Sequence, residues 1–261
     1  MDAQGHLNNA SYVDYLQEAR VDFLLTGPPA MQQLLSTGVL VVSHAVEYRA
    51  PVSFGEQPLD IDLWAESVGG SRFVIAYDVF DGDTLAVQAR TSAVPFDLAT
   101  NRLRRLTTEE RAHLSALVDP AEPLEAFPRV PLSERSHGYP LKVRWSDLDS
   151  YGHVNNVKFF DYIQEARIAF TVEVLGWAED DVWLVVRQDL DYLKPMDFSL
   201  QPYEVATVVT AIGNKSFRLA AEIRDPTSGD VLAAARTVVV SAQPLTDERR
   251  RALESWLLPA D

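Results

Sequence analysis

A chain of 261 residues has room for one large or two small domains, and with 47% hydrophobic and 23% charged residues it is too apolar to stay disordered. Its 38 acidic residues outnumber 23 basic ones, and the net charge of −15 opposes binding to nucleic acid or to an anionic membrane surface. The absence of cysteine excludes disulfides, a thiol nucleophile and cysteine-ligated metal. The first residues carry neither the basic start nor the apolar stretch of a signal peptide, and no apolar run approaches a membrane span; a cytoplasmic protein is expected.

In chain order, the first feature is a motif that returns. Asp2-Ala3-Gln4-Gly5-His6-Leu7-Asn8-Asn9 matches Asp149-Ser150-Tyr151-Gly152-His153-Val154-Asn155-Asn156 at an offset of 147 residues, and 12 of the 22 positions from Asp2 to Phe23 are identical. The apolar spacing of Tyr12, Leu16, Ala19 and Phe23, and of Phe159, Ile163, Ala166 and Phe170, predicts one buried helix face in each copy. Alternation at Phe73, Ile75, Tyr77 and Val79, and at Phe217, Leu219, Ala221 and Ile223, predicts strands, with hairpin turns at Gly82-Asp83 and Gly229-Asp230. Each copy is thus one long helix followed by several antiparallel strands. Residues 1–118 form the first repeat, 119–138 a proline-rich linker and 139–261 the second repeat.

The second copy has a strand-compatible run, Leu141-Lys142-Val143-Arg144-Trp145, ahead of its motif, and the first copy has no counterpart to it. The expectation from this asymmetry is a start codon assigned too late, since a lost opening strand would leave a sheet edge exposed.

The segment Arg144-Trp145-Ser146-Asp147-Leu148-Asp149-Ser150-Tyr151-Gly152-His153-Val154-Asn155-Asn156 resembles the signature of hotdog acyl-CoA and acyl-ACP thioesterases of the 4-hydroxybenzoyl-CoA thioesterase-like family. That resemblance implies an α+β hotdog fold, a long central helix wrapped by a curved antiparallel sheet. Two tandem copies would form a pseudo-dimer within one chain, with active sites where the hotdogs meet and further homo-oligomerisation open. It places the catalytic acid at Asp149, and at Asp2 in the first copy.

The chemistry stands beside the resemblance. Thioester cleavage needs a carboxylate, as nucleophile or general base, and donors for the oxyanion. Amides over Gly152 to Asn156, at the start of a helix beginning near Asn155-Asn156, are expected to include unpaired donors aided by the helix dipole. Gly152 allows close approach or a positive φ. His153 is placed to orient substrate or carboxylate or to hydrogen-bond locally, with His6 its counterpart; the alternative role for Asn155 is that of a helix N-cap. Glu165 is a second acid, or an ion-pair partner of Arg167 or Lys158, with Glu18 its counterpart.

The turn residues Lys215 and Ser216, matched by Ser71 and Arg72, resemble the family's turn bordering the acyl-CoA site. His44, His113 and His137 show no metal-ligand spacing, so neither a metal nor a cofactor is expected beyond the coenzyme A of the substrate. The reading is acyl-CoA hydrolysis, with acyl-ACP hydrolysis or non-catalytic acyl-thioester binding as alternatives. A hotdog hydratase is disfavoured because Asp149 and His153 lack the intervening Asn-Pro of its pattern.

Overall fold

The computed structural model describes residues 7–53, 55, 57–119, 122, 124–125, 127–132, 135–149, 151–176 and 181–259. The chain divides into two compact units, Met1–Glu125 and Ala126–Asp261.

In the first unit α1 (Asn9–Thr26) begins at an asparagine cap, the Asn8 side chain accepting the Ala10 N–H at 2.9 Å. α2 (Pro29–Thr37) follows, opened by proline, whose missing N–H costs nothing in a first turn. Four antiparallel strands come next: β1 (Val39–Tyr48), β2 (Asp60–Val68), β3 (Phe73–Asp81) and β4 (Thr84–Asp97). They lie side by side in the order β2-β3-β4-β1. The two-residue turn between β3 and β4 needs Gly82 at φ +57°. A short β5 (Arg102–Leu103) pairs with the end of β4. α3 (Thr108–Ala116) is fixed by a reciprocal capping box between Thr107 and Glu110.

The second unit repeats the plan with one more strand. β6 (His137–Leu141) precedes α4 (Lys158–Phe170), a π turn over Thr171–Leu175, β7 (Trp183–Tyr192), β8 (Tyr203–Ile212), β9 (Ser216–Arg224), β10 (Val231–Ser241) and α5 (Asp247–Glu254); the sheet order is β7-β10-β9-β8-β6. Both units are hotdogs, and several matching bonds hold them alike. Tyr48 Oη donates to Asn9 O at 3.0 Å, as Tyr192 Oη does to Asn156 O at 2.9 Å. The Leu7 N–H donates to Val52 O, and Val154 N–H to Met196 O, both at 2.8 Å.

The core lies between the long helix and one sheet face. In the second unit Phe159, Ile163, Ala166 and Phe170 are all buried, and Phe170 packs with Trp183, Phe217 and Leu219. In the first unit the predicted face is partly displaced. Tyr12 and Leu16 are buried, but the buried stripe continues through Arg20 and Leu24, leaving Ala19 and Phe23 half-buried. Ala19 borders an open groove, and Phe23 stacks on His113 at 6.4 Å.

Turning inward, Arg20 forces polar company beneath α1. Arg20 Nη1 donates to Tyr77 Oη at 3.2 Å, and His44 Nδ1 shares a 2.9 Å hydrogen bond with Thr91 Oγ1. Burial, and then the Arg20 guanidinium, hold the His44 imidazole well below its ordinary 6.5, so it is buried neutral. The unfolded chain binds a proton below about pH 6.5 that the folded chain refuses. This contribution to stability is therefore full above that pH and is lost as pH falls beneath it. Gln188 occupies the same register in the second unit, opposite Thr237 as His44 is opposite Thr91. We expect His44→Gln to remove the histidine's share of the acid destabilisation, measured as the difference between denaturant midpoints at neutral and mildly acidic pH.

Among the described residues, no helix is long and apolar enough to cross a membrane.

Candidate active site

The Asp147–Asn155 loop is built by its own acids. Asp147 is buried, its Oδ2 accepting the Arg144 N–H at 2.8 Å and the Tyr162 hydroxyl at 2.7 Å, while its carbonyl accepts the Asn155 N–H at 2.8 Å. Burial first, and then this carboxylate, push the Tyr162 hydroxyl well above its ordinary value, so it stays a neutral donor. Asp147 and Tyr162 thus anchor the loop to α4. Tyr15 is the repeat counterpart of Tyr162, and neither carries a role in the sequence reading; a buried hydroxyl about one turn into a helix is not distinguishable in sequence from a core aromatic.

Asp149 is half-buried and closes the loop. Its Oδ1 accepts the amides of Tyr151 at 2.8 Å and His153 at 3.3 Å, and its backbone pairs with His153 O and Gly152 N at 2.8 and 3.1 Å. Both side-chain bonds fall on one oxygen, so Oδ2 has no recorded donor among the described residues. Gly152 stands at φ +82° with open space where a Cβ would be, so the glycine serves the left-handed turn rather than close approach. His153 is largely exposed, with Nε2 3.7 Å from Asp197 Oδ1, a carboxylate outside the motif that repeat matching had no reason to select.

The expected row of oxyanion donors is narrower than predicted. Of the five amides from Gly152 to Asn156, four are engaged: Gly152 and His153 by Asp149, Val154 by Met196 O, and Asn155 by Asp147 O. The loop folds on itself, so its N–H groups turn inward. Asn156 N–H is the one of the five without a recorded acceptor among the described residues. Asn155 acts as a cap, its side chain accepting the Val157 N–H at 3.0 Å and its carbonyl the Lys158 N–H at 2.9 Å. α4 accordingly starts at Lys158, two to three residues later than predicted, whereas α1 starts at Asn9, the counterpart of Asn156.

Glu165 is exposed on α4, and Lys158 pairs with Asp161 at 3.1 Å rather than with it. Glu18 is exposed on α1 and lines a cavity of about 900 Å³ in the first unit with Tyr15, Ala19 and Asp22. Asp2 and His6 lie outside the described residues.

The turn residues are not brought to the Asp149 loop within their unit. Gly213 N–H donates to Ser216 O at 2.7 Å, the same turn that Gly69 N–H makes with Arg72 O, also at 2.7 Å. Lys215 and Ser216 follow the C-terminal end of β8, while Met196, which holds Val154, precedes its N-terminal end. Ten strand residues separate the two, roughly 30 Å. Lys215 Nζ instead reaches Ala242 O at 3.3 Å, and Ser71 and Arg72 are exposed in the matching turn. Among the described residues, no group of three or more histidines and acids is arranged to hold a metal.

The chain is 29% identical over 150 residues to an Arabidopsis thaliana chloroplastic oleoyl-acyl carrier protein thioesterase, covering 52% of this chain and 40% of that one. It is 31% identical over 84 residues to YsmA of Bacillus subtilis, an uncharacterised protein, covering 30% of this chain and 54% of the relative. The chain therefore spans about half the length of these curated relatives. Its fold is that of the 12:0-ACP thioesterase from Umbellularia californica, with a TM-score of 0.74, 15% identity and coverage of 94% of this chain and 90% of that one. An acyl-ACP thioesterase from Bacteroides thetaiotaomicron superposes with a TM-score of 0.68 and 16% identity, over 92% of each chain. The family model described as thioesterase-like superfamily matches twice, over residues 1–128 and again over 143–257. With both halves matched and the same helix-and-sheet plan in each, the chain belongs to the thioesterase-like superfamily.

Proposed function

We propose that the chain hydrolyses an acyl thioester to a carboxylic acid and a free thiol, with Asp149 as its carboxylate catalyst. The observation that carries this reading is the Asp149 loop: two amides anchor Oδ1 and leave Oδ2 without a recorded donor, in a member of a thioesterase-like superfamily. Oδ2 either takes a proton from a water that attacks the carbonyl carbon, or attacks that carbon itself to form a mixed anhydride that water then hydrolyses to the carboxylic acid, restoring Asp149. Negative charge develops on the carbonyl oxygen, the C–S bond breaks, and the leaving sulfur takes up a proton. Asn156 N–H, at the helix start, is the donor we assign to the oxyanion. His153 holds a position between the Asp149 loop and Asp197 from which it orients substrate. No cofactor is required, since coenzyme A enters only as part of the substrate.

Coenzyme A is the carrier we place first, because a net charge of −15 works against docking an acidic carrier protein. Acyl carrier protein is the second reading, favoured by the names of the Arabidopsis, Umbellularia and Bacteroides relatives. Presenting one acyl group on both carriers and comparing kcat/KM for thiol release decides between them. We expect the higher value on coenzyme A; a higher value on the carrier protein replaces the substrate and leaves the chemistry standing.

A further inference from the structure

Asp149 holds its loop in shape through side-chain bonds that stay inside it, to the amides of Tyr151 and His153. Where the loop stands against α4 is set by other groups. Tyr162 Oη, from α4, donates to Asp147 Oδ2 at 2.7 Å, and the Asp147 carbonyl accepts the Asn155 N–H at 2.8 Å. Tyr192 Oη, at the end of β7, donates to Asn156 O at 2.9 Å. Between these two anchors lies the peptide group that carries the Asn156 N–H. Its oxygen, Asn155 O, accepts the Lys158 N–H at 2.9 Å, and a trans peptide points the N–H the opposite way, away from the first turn of α4.

Packing keeps both hydroxyls in place. The buried Phe159 ring stands edge-on to that of Tyr192 at 5.2 Å and tilted to that of Tyr162 at 6.2 Å. Tyr162 and Asp147 are each only 6% exposed, so neither swings out to water without opening the core. A tyrosine hydroxyl has one proton, and both are committed to these bonds, so neither tyrosine is placed to protonate the leaving sulfur.

Resting on the hydrolase reading above, with Asn156 N–H as the oxyanion donor, we infer that Tyr162, acting through Asp147, and Tyr192 are positioning residues that aim this N–H. Asn155 N–H, Asn155 O and Asn156 O are all held, while the N–H between them has no recorded acceptor among the described residues. A donor fixed before charge develops needs no reorganisation during the reaction, and a displacement of about 1 Å costs roughly 100-fold in rate. Loss of either hydroxyl frees one side of Asn156 and leaves the bonds of Asp149 to Tyr151 and His153 intact.

Tyr162→Phe and Tyr192→Phe each remove one hydroxyl and keep the ring. The test measures kcat and KM on octanoyl and dodecanoyl thioesters of coenzyme A and of acyl carrier protein, with amide exchange followed alongside. Each variant is expected to lower kcat by about 10-fold to 100-fold while KM stays within about threefold of wild type, the pattern of a contact made only in the transition state. Exchange at Asn155 should quicken by about tenfold or more in Tyr162→Phe. Asp147→Asn added to Tyr162→Phe should be little slower than the slower single variant, since the two residues act as one unit. Unchanged kcat in both folded variants, a change confined to KM, or a kcat loss no larger than the loss of folded protein overturns the inference and leaves the hydrolase reading standing. Wild-type protein that releases no thiol from any of these thioesters overturns both, whatever the exchange shows.

Discussion

Replacing Phe170 by alanine is expected to destabilise the protein by about 3–5 kcal/mol, the range for emptying a closed aromatic site in a packed core. Phe170 is fully buried among Leu175, Trp183, Val209, Phe217 and Leu219, with the rings of His137 and Trp256 edge-on at 5.4 and 6.3 Å. The sheet strands and the π turn fix its surroundings, so the cavity has little room to collapse. Phe23, its repeat counterpart, is half-buried and stacks on His113 at 6.4 Å. Phe23→Ala removes less buried surface and opens to solvent, so its cost should be clearly smaller. Urea unfolding followed by tryptophan fluorescence checks the pair; equal losses would contradict the packing asymmetry described for the two helices.

Much of this architecture is written in local pattern. Identity at Asp14-Tyr15, Gln17 through Arg20 and Phe23 reveals the repeat without any structure, and the alternation through Phe73–Val79 and Phe217–Ile223 marks strands that are buried as predicted. Gly82 and Gly152 stand where positive φ is needed. Other features escaped for physical reasons. Thr107 and Glu110 carry a capping-box pattern, and Pro29 a helix-start signal, yet the helices they open are only nine and nine residues long, too short for apolar periodicity to stand out. The inward turning of the Gly152–Asn155 amides depends on Asp147 and Met196, partners that a helix-terminus argument cannot include. Lys215 and Ser216 resemble the family's turn bordering the acyl-CoA site, and within their own unit the ten residues of β8 separate them from the Asp149 loop. Tyr162 matters through its hydrogen bond to Asp147, and Asp197 through its 3.7 Å approach to His153, neither of which a spacing rule encodes.

Asp149→Asn is expected to slow thiol release by roughly 100-fold to 10,000-fold, the usual range for removing a positioned acid–base group. Asparagine keeps an oxygen acceptor for the Tyr151 and His153 amides and changes the other atom, so the loop should persist and the melting temperature stay near that of wild type. Alanine would remove the acceptor too and confound chemistry with loop collapse. Unchanged kcat in a folded Asp149→Asn protein would move the catalytic role elsewhere.

The most direct measurement is thiol release by the wild-type protein from short, medium, long and aromatic acyl thioesters, on coenzyme A and on acyl carrier protein; without cysteine, the protein contributes no thiol of its own. Turnover of at least one of these substrates is expected, with carboxylic acid and free thiol formed in equal amounts. Tight binding of acyl thioesters with no thiol released on either carrier would contradict it.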